Sequence, residues 1–367
     1  MKRKKFLMAY TACVALFYFT AYIITSLLPS SNSETVISNT LPANVTTPLY
    51  SGITVTPPEI SAQSAVVLDA KSGAVLYTKN SETRLPMAST TKIMTAKIIL
   101  DKLPLDMKVK VPKEAAFVEG SSIYLSENEE ITVESLLYGL LLESGNDAAT
   151  ALAVACSGSV EKFAELMNST GEKMGLKNTS FANPHGLTAE NHFTTAYELA
   201  YITMCAMKNE TFRKIVSTSK YISPSLDGTL TRYFFNHNKL LRTYNGSTGV
   251  KTGYTEAAGR CLVSSAERNG ENYICVTLND RNDWADHTNL LDFAFDNYDS
   301  IEIAPENGFA VTYKDIRYIN SEPVYMTVGK DEKPIISYRL TLTNHSASAD
   351  YYSEDTKLGT FNLIPSG

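Results

Sequence analysis

Three short polar motifs lie far apart in this chain: Ser89-Thr-Thr-Lys92, Ser144-Gly-Asn146 and Lys251-Thr-Gly253. Each is unremarkable alone, and two further Ser-x-x-Lys matches, Ser159-Val-Glu-Lys162 and Ser217-Thr-Ser-Lys220, show how little one match means. As a set they constrain the fold strongly. Their side chains can cooperate only if the chain returns twice to bring three distant stretches into one pocket.

The patterning between the motifs indicates how it returns. Ala65-Val-Val-Leu68 and Ala74-Val-Leu-Tyr77 flank Asp69-Ala-Lys-Ser-Gly73, which predicts a hairpin. After Pro86, Ile93, Ala96, Ile99 and Leu100 recur at helical spacing, predicting a helix over 89–100. Further helices are expected over 132–143, from Asn146, over 159–174, and from Thr195 to about Lys208, where Glu198 completes a capping signal. Strand-like runs follow at 220–222, 229–235, 247–254, 260–266 and 273–278, the last two joined by Asn269-Gly270, a strong hairpin turn. Residues 283–297 read as a closing helix with Trp284, Leu291 and Phe295 on its apolar face. Short alternating runs from about Ile301 predict a small β domain. The economical arrangement is an α/β fold of the α+β type, an antiparallel sheet of first hairpin and later strands flanked by helices.

The expected organisation is a membrane segment at 1–28, a linker at 29–60, a main domain at 61–300 and the β-rich unit at 301–367. Lys2, Arg3, Lys4 and Lys5 precede an uncharged, mostly apolar stretch from Phe6 to Leu28. At about 1.5 Å per residue that stretch reaches roughly 35 Å as a helix, enough for a bilayer core of about 30 Å. The basic cluster stays on the cytoplasmic side, so the remainder is exported. A retained anchor is favoured over a cleaved signal peptide, because no Ala-x-Ala follows Leu28; both readings place the body outside the cytoplasm. The formal charge is −6 including that basic cluster, so the body is more acidic still. This argues against nucleic acid as a partner. The five cysteines, Cys13, Cys156, Cys205, Cys261 and Cys275, have no Cys-x-x-Cys pairing, which argues against a zinc site; buried free thiols are expected.

The motifs make chemical sense together. A serine hydroxyl is a weak nucleophile until something takes its proton. Ser89, at a helix start, faces unpaired N–H groups that favour developing negative charge, and Lys92 lies one turn on. Lys92 acts as a base only when neutral, a state favoured by burial and by a second cation such as Lys251. Ser144 can relay a proton and Asn146 can hold a peptide group, with Gly145 expected to allow the bend between helices. Lys251 and Thr252 suit a carboxylate, and Gly253 permits close backbone approach. His185, in Asn183-Pro-His-Gly-Leu187, is expected to be structural, and Glu143 to end its helix facing solvent.

With their surroundings, the motifs resemble those of the penicillin-binding serine D-Ala-D-Ala carboxypeptidases. The resemblance extends over about residues 64–298 and includes Leu140-Leu-Leu-Glu-Ser-Gly-Asn-Asp-Ala148, Phe181-Ala-Asn-Pro-His-Gly-Leu187, Gly249-Val-Lys-Thr-Gly-Tyr-Thr255 and Ala258-Gly-Arg-Cys-Leu-Val-Ser-Ser-Ala266. It implies a fold of the β-lactamase and transpeptidase type and removal of the terminal D-Ala from a peptidoglycan stem pentapeptide. It further implies that Ser89 is acylated, Lys92 is the base, Ser144 relays the proton and Asn146 positions the peptide. Lys251 and Thr252, followed by Gly253, would hold the terminal carboxylate, and the N–H groups of Ser89 and Tyr254 would form the oxyanion hole. No metal or organic cofactor is implied, and β-lactams are expected as covalent inhibitors. Two departures stand out: Gly145 replaces the Asp usual in related β-lactamases, and the C-terminal Asn362-Leu-Ile-Pro-Ser-Gly367 lacks the amphipathic helix of many relatives. Membrane attachment therefore falls to the N-terminal segment. The alternatives are a β-lactamase, for which no dedicated deacylating Glu is evident, and a non-hydrolytic penicillin-binding sensor or wall-binding protein on the same fold.

Overall fold

Ser64–Asp69 (β1) and Val75–Lys79 (β2) pair antiparallel with Ala65 opposite Lys79. Asp69 makes the intervening turn by accepting the N–H groups of Lys71 and Ser72. These elements belong to a computed structural model that describes residues 56–330, 332–342, 346–353 and 356–366. The expected apolar segment, Cys13 and all but the last residues of the linker lie outside the described residues. Among the described residues no helix is long and apolar enough to cross a membrane.

The first motif opens with one 3-10 turn, Ala88–Thr91, before α1, Lys92–Lys102. The hydroxyls of Thr90 and Thr91 donate to Met87 O and Ala88 O, tightening that turn. A short ladder, Lys108–Lys110 (β3) with Glu130–Thr132 (β4), encloses α2, Lys113–Ala116. The helical block follows: α3 (Val133–Leu142), α4 (Asn146–Ser157), α5 (Val160–Lys173), α6 (Ala196–Met207) and α7 (Glu210–Ser217). Side chains of Thr132, Ser159, Thr195 and Asn209 accept the N–H three residues on, capping α3, α5, α6 and α7. Ser159 is thus a helix cap. Ser217 ends α7, a helix not among those expected from the sequence.

The chain then forms a hairpin, Lys220–Pro224 (β5) with Thr231–Phe235 (β6), a helical turn α8 (Leu240–Thr243), and three long strands. These are β7 (Ser247–Thr255), β8 (Gly259–Arg268) and β9 (Glu271–Leu278), closed by α9 (Asp283–Asn297). Asn269 and Gly270 both take positive φ, as the turn between β8 and β9 demands. The central sheet has the order β2-β1-β9-β8-β7, all antiparallel. First hairpin and later strands thus share one sheet, as expected.

That sheet is covered on both faces. Val66, Leu68, Val263, Ile274 and Val276 pack with the helical block, while Ala65, Val67, Leu262 and Tyr273 pack with Leu290, Leu291 and Phe295 of α9. Two-sided burial explains why β1 reads as an unbroken apolar run rather than an alternation. Strand β7 ends the sheet, so one of its edges is free to face the helical block. Cys261 and Cys275 are buried free thiols, and the register places Cys275 opposite Ser264.

Beyond α9 lies the β domain: β10 (Tyr298–Ala304), β11 (Ala310–Tyr313), β12 (Ile316–Ile319), β13 (Val324–Gly329), β14 (Ile336–Leu342), β15 (Ala347–Ser353) and β16 (Thr356–Pro365). Strand β10 pairs with β13, and the rest form a sheet of order β11-β12-β16-β15-β14. Buried Asp69, in the first hairpin, joins the two regions by accepting the hydroxyls of Thr327 at 2.6 Å and of Ser300.

Candidate active site

Lys92, the first residue of α1, is completely buried. Its Nζ lies 2.9 Å from Ser89 Oγ, 2.7 Å from Asn146 Oδ1 and 2.6 Å from His185 O. An ammonium has three N–H groups and would donate to all three. A neutral amine keeps two, for the two carbonyl-type oxygens, and turns its lone pair to the Ser89 hydroxyl. Burial favours the neutral form and holds the Lys92 pKa well below the usual lysine range; the positive Lys251 adds to this, and Asp147 opposes it.

Asn146 is fixed in one orientation, since its Nδ2 donates to Glu119 O at 2.7 Å and its Oδ1 accepts from Lys92. Its backbone N–H donates to Ser121 O. Next to it, buried Asp147 accepts the Ser122 hydroxyl and the N–H groups of Ile123 and Leu125. Residues 119–125 are thereby clamped over the start of α4. This segment's role was not legible in the sequence, because what it offers Asn146 is backbone carbonyls.

The turn between α3 and α4 differs from expectation. The bend falls on Ser144, whose φ is +64°, while Gly145 has an ordinary φ of −56°. Glycine serves space there, since a Cβ would stand 2.7 Å from Asp147 Oδ1. The structure buries Ser144 beside Asn146, but among the described residues no hydrogen bond joins it to Lys92 or Ser89. Glu143 does not simply face solvent: its carboxylate accepts Phe235 N–H at 2.5 Å and lies 3.2 Å from His237 Nε2.

His185 contributes its carbonyl rather than its ring. Asn183 Oδ1 accepts the N–H groups of His185 and Gly186, and Thr95 donates to Pro184 O. Gly186 has φ +94°, and a Cβ there would meet Ala88 O at 2.0 Å. The loop therefore lies directly on the Ser89 turn. The His185 imidazole accepts Leu187 N–H through Nδ1, and burial, then Lys92, lower its pKa to about 3. His192 accepts Ala182 N–H at Nδ1, which leaves Nε2–H to donate to Thr91 Oγ1 at 2.8 Å.

Strand β7 supplies the third motif. Lys251 is buried, with Nζ donating to Thr252 O at 2.9 Å; burial lowers its pKa to about 7, against the pull of Glu143. Thr252 is half-buried and Tyr254 exposed. At Gly253 a Cβ would stand 3.0 Å from Ser89 N and 3.2 Å from Ala88 Cβ and Thr90 N. The strand thus runs hard against the serine turn, with the Tyr254 peptide next along. A hydroxyl with a desolvated amine beside it, backed by a strand and a cation, is equipped to attack an acyl group on an anionic substrate.

The D-alanyl-D-alanine carboxypeptidase family (peptidase S11) matches residues 51–282. The chain is 38% identical over 289 residues to a D-alanyl-D-alanine carboxypeptidase of Bacillus subtilis, an alignment spanning 74% of this chain and 73% of that one. It is similar in structure to penicillin-binding protein 5 of Haemophilus influenzae, with a TM-score of 0.73 at 28% identity, covering 85% of this chain and 98% of that one. A Streptomyces DD-transpeptidase gives a TM-score of 0.63 at 36% identity, covering 66% and 99%.

Proposed function

The chain belongs to the D-alanyl-D-alanine carboxypeptidase family, and from that membership we propose how its residues perform the reaction. The protein is a serine-type DD-carboxypeptidase that removes the terminal D-Ala from peptidoglycan stem peptides. The observation that carries the residue assignment is the buried Lys92 amine, with two carbonyl-type oxygens for its N–H groups and Ser89 Oγ as its third partner.

In this reading neutral Lys92 takes the Ser89 proton as Oγ bonds to the penultimate D-Ala carbonyl carbon. The resulting oxyanion would face the N–H groups of Ser89 and Tyr254, with Gly253 letting the strand lie close to Ser89 N. Collapse breaks the C–N bond, and the proton passes from Lys92, by way of Ser144, to the departing amine of D-Ala. Water then repeats the sequence on the ester, deprotonated by Lys92 and releasing Ser89. Lys251 and Thr252 take the terminal carboxylate and Asn146 the substrate peptide group. A stem peptide laid along the free edge of β7 would be held through backbone groups as an added strand. β-Lactams acylate the same serine. Residues 61–300 form the catalytic unit and 301–367 the β-rich unit, working at the outer face of the bacterial membrane and tethered by the segment before Leu28.

The test is Ser89→Ala assayed with a stem pentapeptide by product mass. D-Ala release should fall by at least ~10³-fold with the circular dichroism unchanged. Undiminished release would refute the assignment. Rapid turnover of penicillin would favour a β-lactamase, and acylation by penicillin without D-Ala release a sensor.

A further inference from the structure

We propose that Asp147 is a positioning residue of this active site: through residues 119–125 it fixes which way the Asn146 amide faces, and through that amide it seats the Lys92 amine beside Ser89. The inference deepens the function proposed above and rests on it.

An unbroken run of contacts leads from Asp147 to the proposed base. Asp147 is buried at the second position of α4, and its Oδ2 accepts the Ser122 hydroxyl at 2.6 Å and the Leu125 N–H at 3.1 Å. The Ile123 N–H lies 2.9 Å from the same oxygen, while Oδ1 accepts the Ala148 N–H at 2.9 Å. The segment held in this way offers two carbonyls in return. Glu119 O accepts from Asn146 Nδ2 at 2.7 Å, and Ser121 O accepts the Asn146 backbone N–H at 2.7 Å. Asn146 Oδ1 is left to face Lys92 Nζ at 2.7 Å, and Lys92 Nζ lies 2.9 Å from Ser89 Oγ.

Two further features show that the segment is fitted to Asn146. Gly120 has φ +88°, and a Cβ there would stand 2.7 Å from Asn146 Nδ2, so glycine lets the backbone lie on the amide. On the other side, Arg232 of β6 donates to Ile123 O at 2.9 Å and to Tyr124 O at 3.0 Å. The segment therefore has Asp147 on its N–H groups and Arg232 on its carbonyls, and loss of one anchor loosens it without freeing it.

The amide has one good orientation in this setting. Reversed, it would set Nδ2 against the N–H groups of Lys92 and Oδ1 against Glu119 O, donor facing donor and acceptor facing acceptor. That preference lasts only while Glu119 O stays in place, and Asp147 holds the segment that carries it. A carboxylate suits the task because the groups it meets from Ser122, Ile123, Leu125 and Ala148 are all donors. An asparagine there would turn an NH2 group toward some of them. Asp147 also acts on Lys92 through its charge, so the test separates charge from position.

The experiment follows penicillin acylation in Asp147→Asn and Ser122→Ala, each made in the wild-type and in the Asn146→Ala background, with thermal melting of every protein. Ser122→Ala removes one attachment of the segment and leaves the Asp147 charge untouched. In the wild-type background Asp147→Asn should slow acylation about tenfold and Ser122→Ala about threefold, as a displaced amide implies. In the Asn146→Ala background each should change the rate by less than about twofold, while the melting temperature falls as much as before. A residue that only stabilised the fold would slow acylation alike in both backgrounds, and that result would overturn the proposal. Unchanged acylation in the single variants would do the same, as would slowing confined to Asp147→Asn, which would assign the effect to charge. Should Asp147→Asn not fold, Ser122→Ala decides by the same comparison. Ser89→Ala separates the two levels: if it is still acylated, the active-site assignment itself fails.

Discussion

Lys92 and Gly253 show that this site depends on what is packed away as much as on what is displayed. The lysine is useful because its amine is out of water, and the glycine because it has no side chain to hold the strand off the serine turn. Gly253→Ala should therefore damage the reaction without removing a reacting group. A Cβ 3.0 Å from Ser89 N makes the turn and strand give by a few tenths of an ångström, and where about 1 Å of misplacement costs roughly 10²-fold, a shift of that size costs roughly threefold to tenfold. Penicillin acylation should slow by about 3- to 10-fold while the melting temperature falls by only a few degrees, about 1–3 kcal/mol of overpacking; an unaltered acylation rate would contradict this. Ser89, Lys92, Ser144, Asn146 and Lys251 could be picked out in the sequence as candidates because their side chains suit the chemistry proposed above. The carbonyls of His185 and Glu119 were not, since any residue type offers the same backbone oxygen.

At the scale of elements, caps made the longer helices legible, and brevity hid α2, α7 and α8. Thr132, Ser159 and Thr195 announce α3, α5 and α6. Helix α7 has the same kind of signal in Asn209, with Phe212, Ile215 and Val216 buried at helical spacing, but over only eight residues beside strand-like sequence. Contacts between elements were hidden altogether. Buried His287 on α9 faces Ser264 Oγ on β8 at 2.6 Å and Thr277 Oγ1 on β9 at 2.9 Å. Burial lowers its pKa to about 3, so it is neutral when folded but takes a proton when unfolded below about pH 6.5. Its contribution to stability is complete above that pH and is lost as the pH falls toward 3, by up to ~1.4 kcal/mol per pH unit. Denaturant titrations between pH 6.5 and 4 should show a shallower loss for His287→Gln than for wild type. Parallel slopes would rule this histidine out as a source of acid sensitivity.

Across the whole molecule, the order of strands places the chemistry. Because the first hairpin inserts beside β9, β7 is left at the rim of the sheet, opposite the helical block that carries the first two motifs. The β domain is attached elsewhere, through Asp69 to Thr327 and Ser300. Asp69→Ala leaves the Ser300 hydroxyl and the turn amides without this acceptor and Thr327 with only the Ser72 hydroxyl, a loss of about 2–4 kcal/mol. D-Ala release from a short peptide should stay within about twofold of wild type, as none of the proposed site residues contacts Asp69 through a described hydrogen bond. A large fall in turnover at intact folding would show that the two regions are functionally coupled. The burial of Lys92 has a further implication. Because the protein's own atoms desolvate the base proposed for Ser89, the reactivity proposed there is not reserved for the wall. A foreign strained amide of the right outline meets the same primed oxygen, and a departing group that stays tethered in the pocket would bar water and leave the protein disabled.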